Sequence, residues 1–244
     1  MFETEAWGKP RFKERLPAPL GNGYWSQEIY YHVLNAGLRL PPSAGSASGV
    51  LPNPVGYNRV YVHLGKDMNY TDWWHGLRAG RSFVTNGPLL RVSADAKLPG
   101  TVFTSDKGMT LNLRIDLTTQ DPIRYIEIIK NGQVERRVPI TAAKPGTIDA
   151  TSTIEFKESG WFLVRAIADN KKTFRFASTA PFYVEIGPTK QRISKSSATF
   201  FLDWTRERMA RIQLDDAKQR KEVLAHHERA AKFWQDRVAM ANVE

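Results

Sequence analysis

Between Leu111 and Leu117 every second residue is apolar, with Asn112, Arg114 and Asp116 in between. A period of two sends alternate side chains to opposite faces, so this stretch reads as a half-buried strand and not as a helix. Its surroundings keep the cadence. Tyr125 to Ile129 and Val134 to Ile140 flank Lys130-Asn131-Gly132-Gln133, and Asn-Gly between alternating apolar runs is a strong hairpin signal. Ile154 to Phe156, Trp161 to Ala168, Phe174 to Phe176 and Phe182 to Ile186 continue a series of short strands broken by Gly, Pro, Asp and Asn. Residues 91–188 therefore read as an antiparallel β-sandwich.

The flanking segments follow other periods. In residues 1–90, Ser26 is placed to cap a helix through Ile29, Val33 and Leu34 that stops at Gly37. Strands are expected at Leu38 to Leu40, Arg59 to Leu64 and Ser82 to Thr85, with a helix from about Thr71 to Gly80. Strands alternating with helices predict an α/β sheet of parallel character. Residues 189–244 open with a polar, basic linker and turn helical. Phe201, Trp204, Met209 and Ile212 share one helical face, and Leu224, His227, Ala231, Trp234, Val238 and Ala241 share another.

Composition narrows the function classes. The formal charge of +10 over 244 residues invites a polyanion reading, but the basic excess is spread over all three segments. Phosphate tracking needs a clustered stripe, so specific nucleic-acid binding is not expected. The absence of Cys removes cysteine nucleophiles, disulfides and thiolate zinc sites. No apolar run reaches the ~18 residues of a membrane span, and Met1-Phe2-Glu3-Thr4-Glu5 is acidic where a signal peptide is basic. The compartment stays open, because export depends on any leader lying upstream.

Few residues announce chemistry. None of the five His forms His-x-His, His-Glu-x-x-His or His-x-x-Glu-His. His226 and His227 are adjacent on a helix and point about 100° apart, which reads as surface or partly packed. His63 reads as a packed strand residue, and His75 beside Trp73 and Trp74 as a weaker candidate for lining a cleft. The loop Ser43-Ala44-Gly45-Ser46-Ala47-Ser48-Gly49 lacks the glycine spacing of a nucleophile elbow and is followed by no Walker lysine. Trp7, Tyr24, Trp25, Tyr30, Tyr31, Tyr57, Tyr61, Tyr70, Trp73 and Trp74 crowd the first ninety residues. Core packing explains such density more often than a carbohydrate or aryl platform does.

Three separated strings carry a resemblance. They are residues 29–46 (Ile29-Tyr30-Tyr31-His32-Val33-Leu34-Asn35-Ala36-Gly37-Leu38-Arg39-Leu40-Pro41-Pro42-Ser43-Ala44-Gly45-Ser46), Pro54-Val55-Gly56-Tyr57-Asn58-Arg59-Val60-Tyr61-Val62, and Gly76-Leu77-Arg78-Ala79-Gly80-Arg81-Ser82-Phe83-Val84-Thr85-Asn86-Gly87-Pro88. In this order they resemble the carboxyl-terminal part of carbaryl-hydrolase-like proteins, the CehA/McbA group of the PHP superfamily. The resemblance covers residues 10 to 90 well.

It implies an α+β multi-unit chain: a partial PHP-type (β/α) barrel segment over 1–90, the β-sandwich over 91–188, and a linker with helical tail over 189–244. It also implies a parent that hydrolyses ester, amide, carbamate or phosphoester bonds with a divalent metal, Zn or Mn, lowering the pKa of a bound water. Two departures follow. The family's His-x-His ligands have no counterpart here, and its Gly-Ser/Thr-Asp motif matches Gly45-Ser46-Ala47, with Ala where the carboxylate belongs. No residue of this chain is assigned to metal or to catalysis, and no cofactor is expected in it.

The expected partner is the missing amino-terminal barrel portion, on the same polypeptide or another. Arg39, Ser46, Ser48 and Asn86, at or beside predicted strand ends, are the candidates for polar contacts to a substrate pocket. An incomplete barrel should also expose an apolar patch drawn from Tyr30, Val33, Tyr61, Val62 and Trp74. The competing reading is a non-catalytic module whose sandwich recognises a glycan or a partner protein.

Overall fold

The computed structural model describes residues 14–17, 20–49, 54–65, 67–123, 125–140 and 146–244. In chain order the elements are α1 (Gly21–Asn35), β1 (Arg59–Val62), α2 (Tyr70–Arg78), β2 (Ser82–Thr85), β3 (Leu89–Ala94), β4 (Val102–Ser105) and β5 (Met109–Thr119). They continue with β6 (Tyr125–Lys130), β7 (Gln133–Pro139), β8 (Gly146–Phe156), β9 (Gly160–Ile167), β10 (Phe176–Thr179), β11 (Phe182–Ile186), α3 (Lys195–Ala210) and α4 (Ala217–Ala239). The chain divides into two units, Arg39–Lys190 and a helical unit drawn from Met1–Leu38 and Gln191–Glu244.

In the first unit two sheets face one another. One has three strands in the order β3-β5-β8; the other has eight, in the path β1-β2-β10-β9-β11-β4 with β6 and β7 branching from β9. β9 carries β6 along one edge, and β10 followed by β11 along the other. The alternation in β5 does what the sequence predicts: Leu111, Leu113, Ile115 and Leu117 are buried while the polar residues between them face out. Opposite them lie Ile126, Ile128, Phe162, Val164, Ala166, Phe182 and Val184, which complete one continuous core. Phe162 stacks on Phe182 with ring centroids 4.7 Å apart, and Phe156 tilts against Phe162 at 5.8 Å.

The sheet's other face holds a charge. Glu127 is buried, and its carboxylate accepts from Arg165 Nε at 2.7 Å and from Arg137 Nε at 3.1 Å. A buried carboxylate is stable only when its lone pairs are engaged in this way. The hairpin turn at Asn131-Gly132 is built as expected, both residues adopting positive φ of 50° and 86°.

The expected parallel (β/α) barrel segment over 1–90 is overturned. β1 and β2, on either side of α2, pair antiparallel, and β2 pairs antiparallel with β10, so both are strands of the sandwich's larger sheet. Among the described strands only β4 and β11 pair in parallel, and no barrel closes. No strand forms at Leu38 to Leu40. The physical reason is that hydrophobic period identifies a strand but carries no information about the direction or identity of its neighbour. α2, nine residues long, returns the chain beside β1 without the parallel crossover of a βαβ unit.

In the helical unit, α1 begins at Gly21, five residues before the expected Ser26 cap, and ends at Asn35 with Gly37 at φ 81° just beyond. α3 is capped by Ser194, whose Oγ accepts from Ser197 N at 3.2 Å, and α4 by Asp216, which accepts from Gln219 N at 2.7 Å. His32 stacks on Phe200 at 4.3 Å with its Nδ1 2.9 Å from Ser197 Oγ, and Phe201 stacks on Trp234 at 4.6 Å. No described helix is long and apolar enough to cross a membrane.

The stacked phenylalanines define a test of this core. Phe182→Ala should lower stability by about 3–5 kcal/mol, the usual effect of truncating a fully buried aromatic. Urea unfolding followed by circular dichroism measures this; a loss below about 1 kcal/mol would mean the ring is not part of a packed interior.

Candidate functional site

The eight-stranded sheet is wider than its three-stranded partner, and the mismatch creates the main cleft. β3 packs over β10 and β9 and reaches β2, leaving the ends of β1 and β2 projecting past it. Pairing of Phe83 with Thr179, and of Thr85 with the core residue Ala177, shows that Phe83 points to the side occupied by the smaller sheet. Tyr61 pairs with Phe83 and therefore points the same way. With no strand above it, the stacked Tyr61–Phe83 pair (5.0 Å) leaves Tyr61 41% exposed.

A cleft of about 610 Å³ follows, with this aromatic pair, His63, Arg81 and the strand β3 among its lining. That volume lies within the usual range of ligand sites. α2 covers the other side of β1. Gly76 is required there, since a Cβ at that position would lie 2.5 Å from Val62 Cγ1.

Charge at the cleft is mostly positive. Arg81 makes no side-chain hydrogen bond or ion pair among the described residues, and its backbone carbonyl accepts from His63 N at 2.8 Å. Arg91, Asp116 and Asp149 stand in register across the outward face of the three-stranded sheet. A hydrogen bond and like-charge repulsion from Asp116 raise the Asp149 carboxyl above the usual range, against the pull of Arg114 and Arg91. A second cleft, of about 660 Å³, is lined by Arg114, Arg136, Arg137, Asn112 and Asp95 among others.

The four sequence candidates are not brought together. Arg39 lies in a cleft of about 210 Å³ with Arg78, Gly80, Gly100 and Tyr183; the two larger clefts contain none of the four. Its guanidinium donates to Glu185 at 2.7 Å and lies 4.9 Å from the centre of the Tyr183 ring. Ser46 is buried, its Oγ accepting from Asn58 N at 2.9 Å, while Asn58 Nδ2 donates to Gly45 O at 3.1 Å. Ser48 is exposed. Asn86 laces β2 to the start of β10, its Nδ2 donating to Phe174 O at 2.8 Å and its Oδ1 accepting from Phe176 N at 2.9 Å.

His63 and Arg81 are what sequence reasoning missed. His63 is exposed and lines the main cleft, where strand position alone predicted a packed residue. The available signal was the aromatic Tyr61 two residues earlier, which shares its face. His75 is exposed. Of the apolar patch, Tyr61 and Trp74 are exposed and Tyr30, Val33 and Val62 half-buried. Trp7 lies outside the described residues. Among the described residues no three His, Asp or Glu side chains are grouped to hold a metal ion. At the Gly45-Ser46-Ala47 turn the residues present do not fit one, since Ala47 has no donor atom and the Ser46 hydroxyl is engaged by Asn58.

No family model matches the chain, and no curated protein matches it significantly. Among solved structures it is similar to the CARDB domain of the PF1109 protein from Pyrococcus furiosus, crystallised in complex with di-metal ions. The TM-score is 0.27 at 15% identity, covering 41% of this chain and 94% of that one. It is also similar to superoxide reductase (neelaredoxin) from Ignicoccus hospitalis, with a TM-score of 0.27 at 19% identity over 39% of this chain and 80% of that one. A Niemann-Pick type C2 protein from the Japanese carpenter ant gives 0.23 at 6% identity over 41% and 91%. Likenesses this distant carry nothing about chemistry.

Burial raises the Tyr183 hydroxyl pKa to about 12, with Arg39 pulling it down by a smaller amount. Stability should therefore fall as pH rises above 10, where an unfolded tyrosine ionises while Tyr183 holds its proton until about 12. Absorbance at 295 nm across an alkaline titration should show one late-ionising tyrosine that is lost in Tyr183→Phe. Ionisation of all tyrosines near pH 10 would place this side chain in water.

Proposed function

We propose that this chain is a non-catalytic part of a metal-dependent hydrolase related to the CehA/McbA-like group, whose bond cleavage belongs to a portion bearing the His-x-His ligands. The parent's substrates are esters, amides, carbamates or phosphoesters, with Zn or Mn as the divalent metal. The barrel is not part of this reading; residues 39–190 are an accessory sandwich.

One observation supports the reading more than any other. Ala47 sits at φ 48° in the Gly45-Ser46-Ala47 turn, a left-handed conformation that Asp and Asn adopt far more readily than Ala. The turn is held in shape from below by the bonds of Ser46 and Gly45 to Asn58. A backbone suited to Asp, at the position where the resembled motif carries Asp, is what a ligand loop looks like after its acid is lost.

A second reading, a module that binds a ligand through the sandwich, is favoured by the exposed Tyr61 on Phe83 at the mouth of the main cleft.

Two measurements test the first reading. Ala47→Asn and Ala47→Gly should each raise stability by about 0.5–1 kcal/mol in urea unfolding, because both relieve the left-handed alanine. The purified chain with added Mn or Zn should hydrolyse p-nitrophenyl acetate no faster than buffer. Stoichiometric metal together with chelator-sensitive turnover would overturn the proposal. An in-frame upstream coding sequence lacking any His-x-His would remove its hydrolase parent.

A further inference from the structure

β3 is the outermost strand of the three-stranded sheet, and its far edge forms one lip of the 610 Å³ cleft. The hydrogen bonds at its end reveal which residues that edge offers. Asp95 N donates to Asn112 O at 2.9 Å, so Asp95 and, by alternation, Arg91 and Ser93 direct their backbone groups toward β5. Ala94 instead exchanges bonds with Lys97, at 2.9 and 2.8 Å, across a tight turn whose central residues Asp95 and Ala96 have φ of 42° and 61°. Val92 and Leu90 share the parity of Ala94 and direct their N–H and C=O groups away from β5.

Nothing described pairs with them there. After Lys97 the chain passes through Pro99, which has no N–H, and departs at Gly100, whose N–H bonds Pro181 O at 2.8 Å. The edge is held stiffly, since the Leu90 and Val92 side chains are 0% and 5% exposed in the core.

The surroundings match a strand. A fourth strand beside β3 would lie over the projecting Tyr61–Phe83 pair, at the spacing neighbouring strands adopt, ~4.8 Å. Its alternate side chains would meet Tyr61, Phe83 and Arg81 on one side and the flank of Arg91 on the other. The single carboxylate lining the cleft, Asp116, already has Arg114 at 3.7 Å. Arg81 has none among the described residues.

We infer that this cleft takes a short, extended, acidic peptide segment, added to the β3 edge as a fourth strand of the three-stranded sheet. Main-chain bonds to Leu90 and Val92 supply the register, the aromatic pair takes an apolar side chain, and the uncommitted guanidinium selects acid. The inference rests on the second reading above and is independent of the hydrolase relationship.

The test titrates the end-blocked hexapeptide Thr-Val-Thr-Glu-Thr-Val, whose valines and glutamate share one face of a strand and so meet Tyr61, Phe83 and Arg81 together, into the full chain, followed by amide NMR. Saturable binding is expected with Kd below about 1 mM, with shifts at the Leu90 and Val92 amides. N-methylation of the valines, or lysine in place of glutamate, should weaken binding at least about tenfold. Arg81→Glu, at an exposed position, should favour the lysine peptide.

Equal binding of the N-methylated peptide, or shifts confined to other surfaces, would overturn strand addition. If the peptide fails while a glucose trisaccharide saturates the same cleft, the peptide is wrong and the binding module stands. If neither binds at about 5 mM, both fall.

Discussion

The packing of a three-stranded sheet against an eight-stranded one is the constraint on which the sandwich unit depends. Leu111, Leu113, Ile115 and Leu117 on one side, and the Phe162–Phe182 stack on the other, close a dry interior. Sheets stack about 10 Å apart only while both inner faces are apolar and continuous. Where the narrow sheet ends, that condition ends too. The same residue types that are buried beneath β3 become an aromatic ledge at Tyr61 and Phe83, and the main cleft forms where the narrower sheet ends.

Polar contacts complete what burial begins. Glu127 serves two arginines on the face opposite the core, and Asn86 replaces strand pairing where β2 meets the start of β10. Both hold elements distant in sequence, 127 to 165 and 86 to 176, which local propensity could not bring together. Two of the residues named from sequence as pocket contacts, Ser46 and Asn86, spend their polar atoms on such scaffolding. Arg39 spends its own on Glu185 and Tyr183, where it offsets part of the burial that raises the tyrosine's pKa.

The proposed relation to metal-dependent hydrolases takes a different form once the barrel is removed. The resembling strings map onto α1, an irregular stretch holding the Gly45-Ser46-Ala47 turn, β1, α2 and β2. They therefore describe a helix in one unit and the projecting margin of a sandwich in the other. A string of residues can set its local shape, such as the left-handed Ala47, but the sheet it joins is chosen by pairing partners elsewhere in the chain.

The sequence by itself determined the local elements. The alternation of β5, the Asn131-Gly132 hairpin, the helices α3 and α4 and the strand at Ser82 to Thr85 are written in nearest-neighbour chemistry, and all are present. It left β3 and β4 unannounced. Only the tertiary structure decided that β1 and β2 extend an antiparallel sheet, that Leu90 and Val92 present an open edge, and that His63 and Arg81 meet at a cleft. Period reports which side of a strand is apolar; the neighbour that covers it, or fails to, is set by contacts across some hundred residues of chain, which no local pattern encodes.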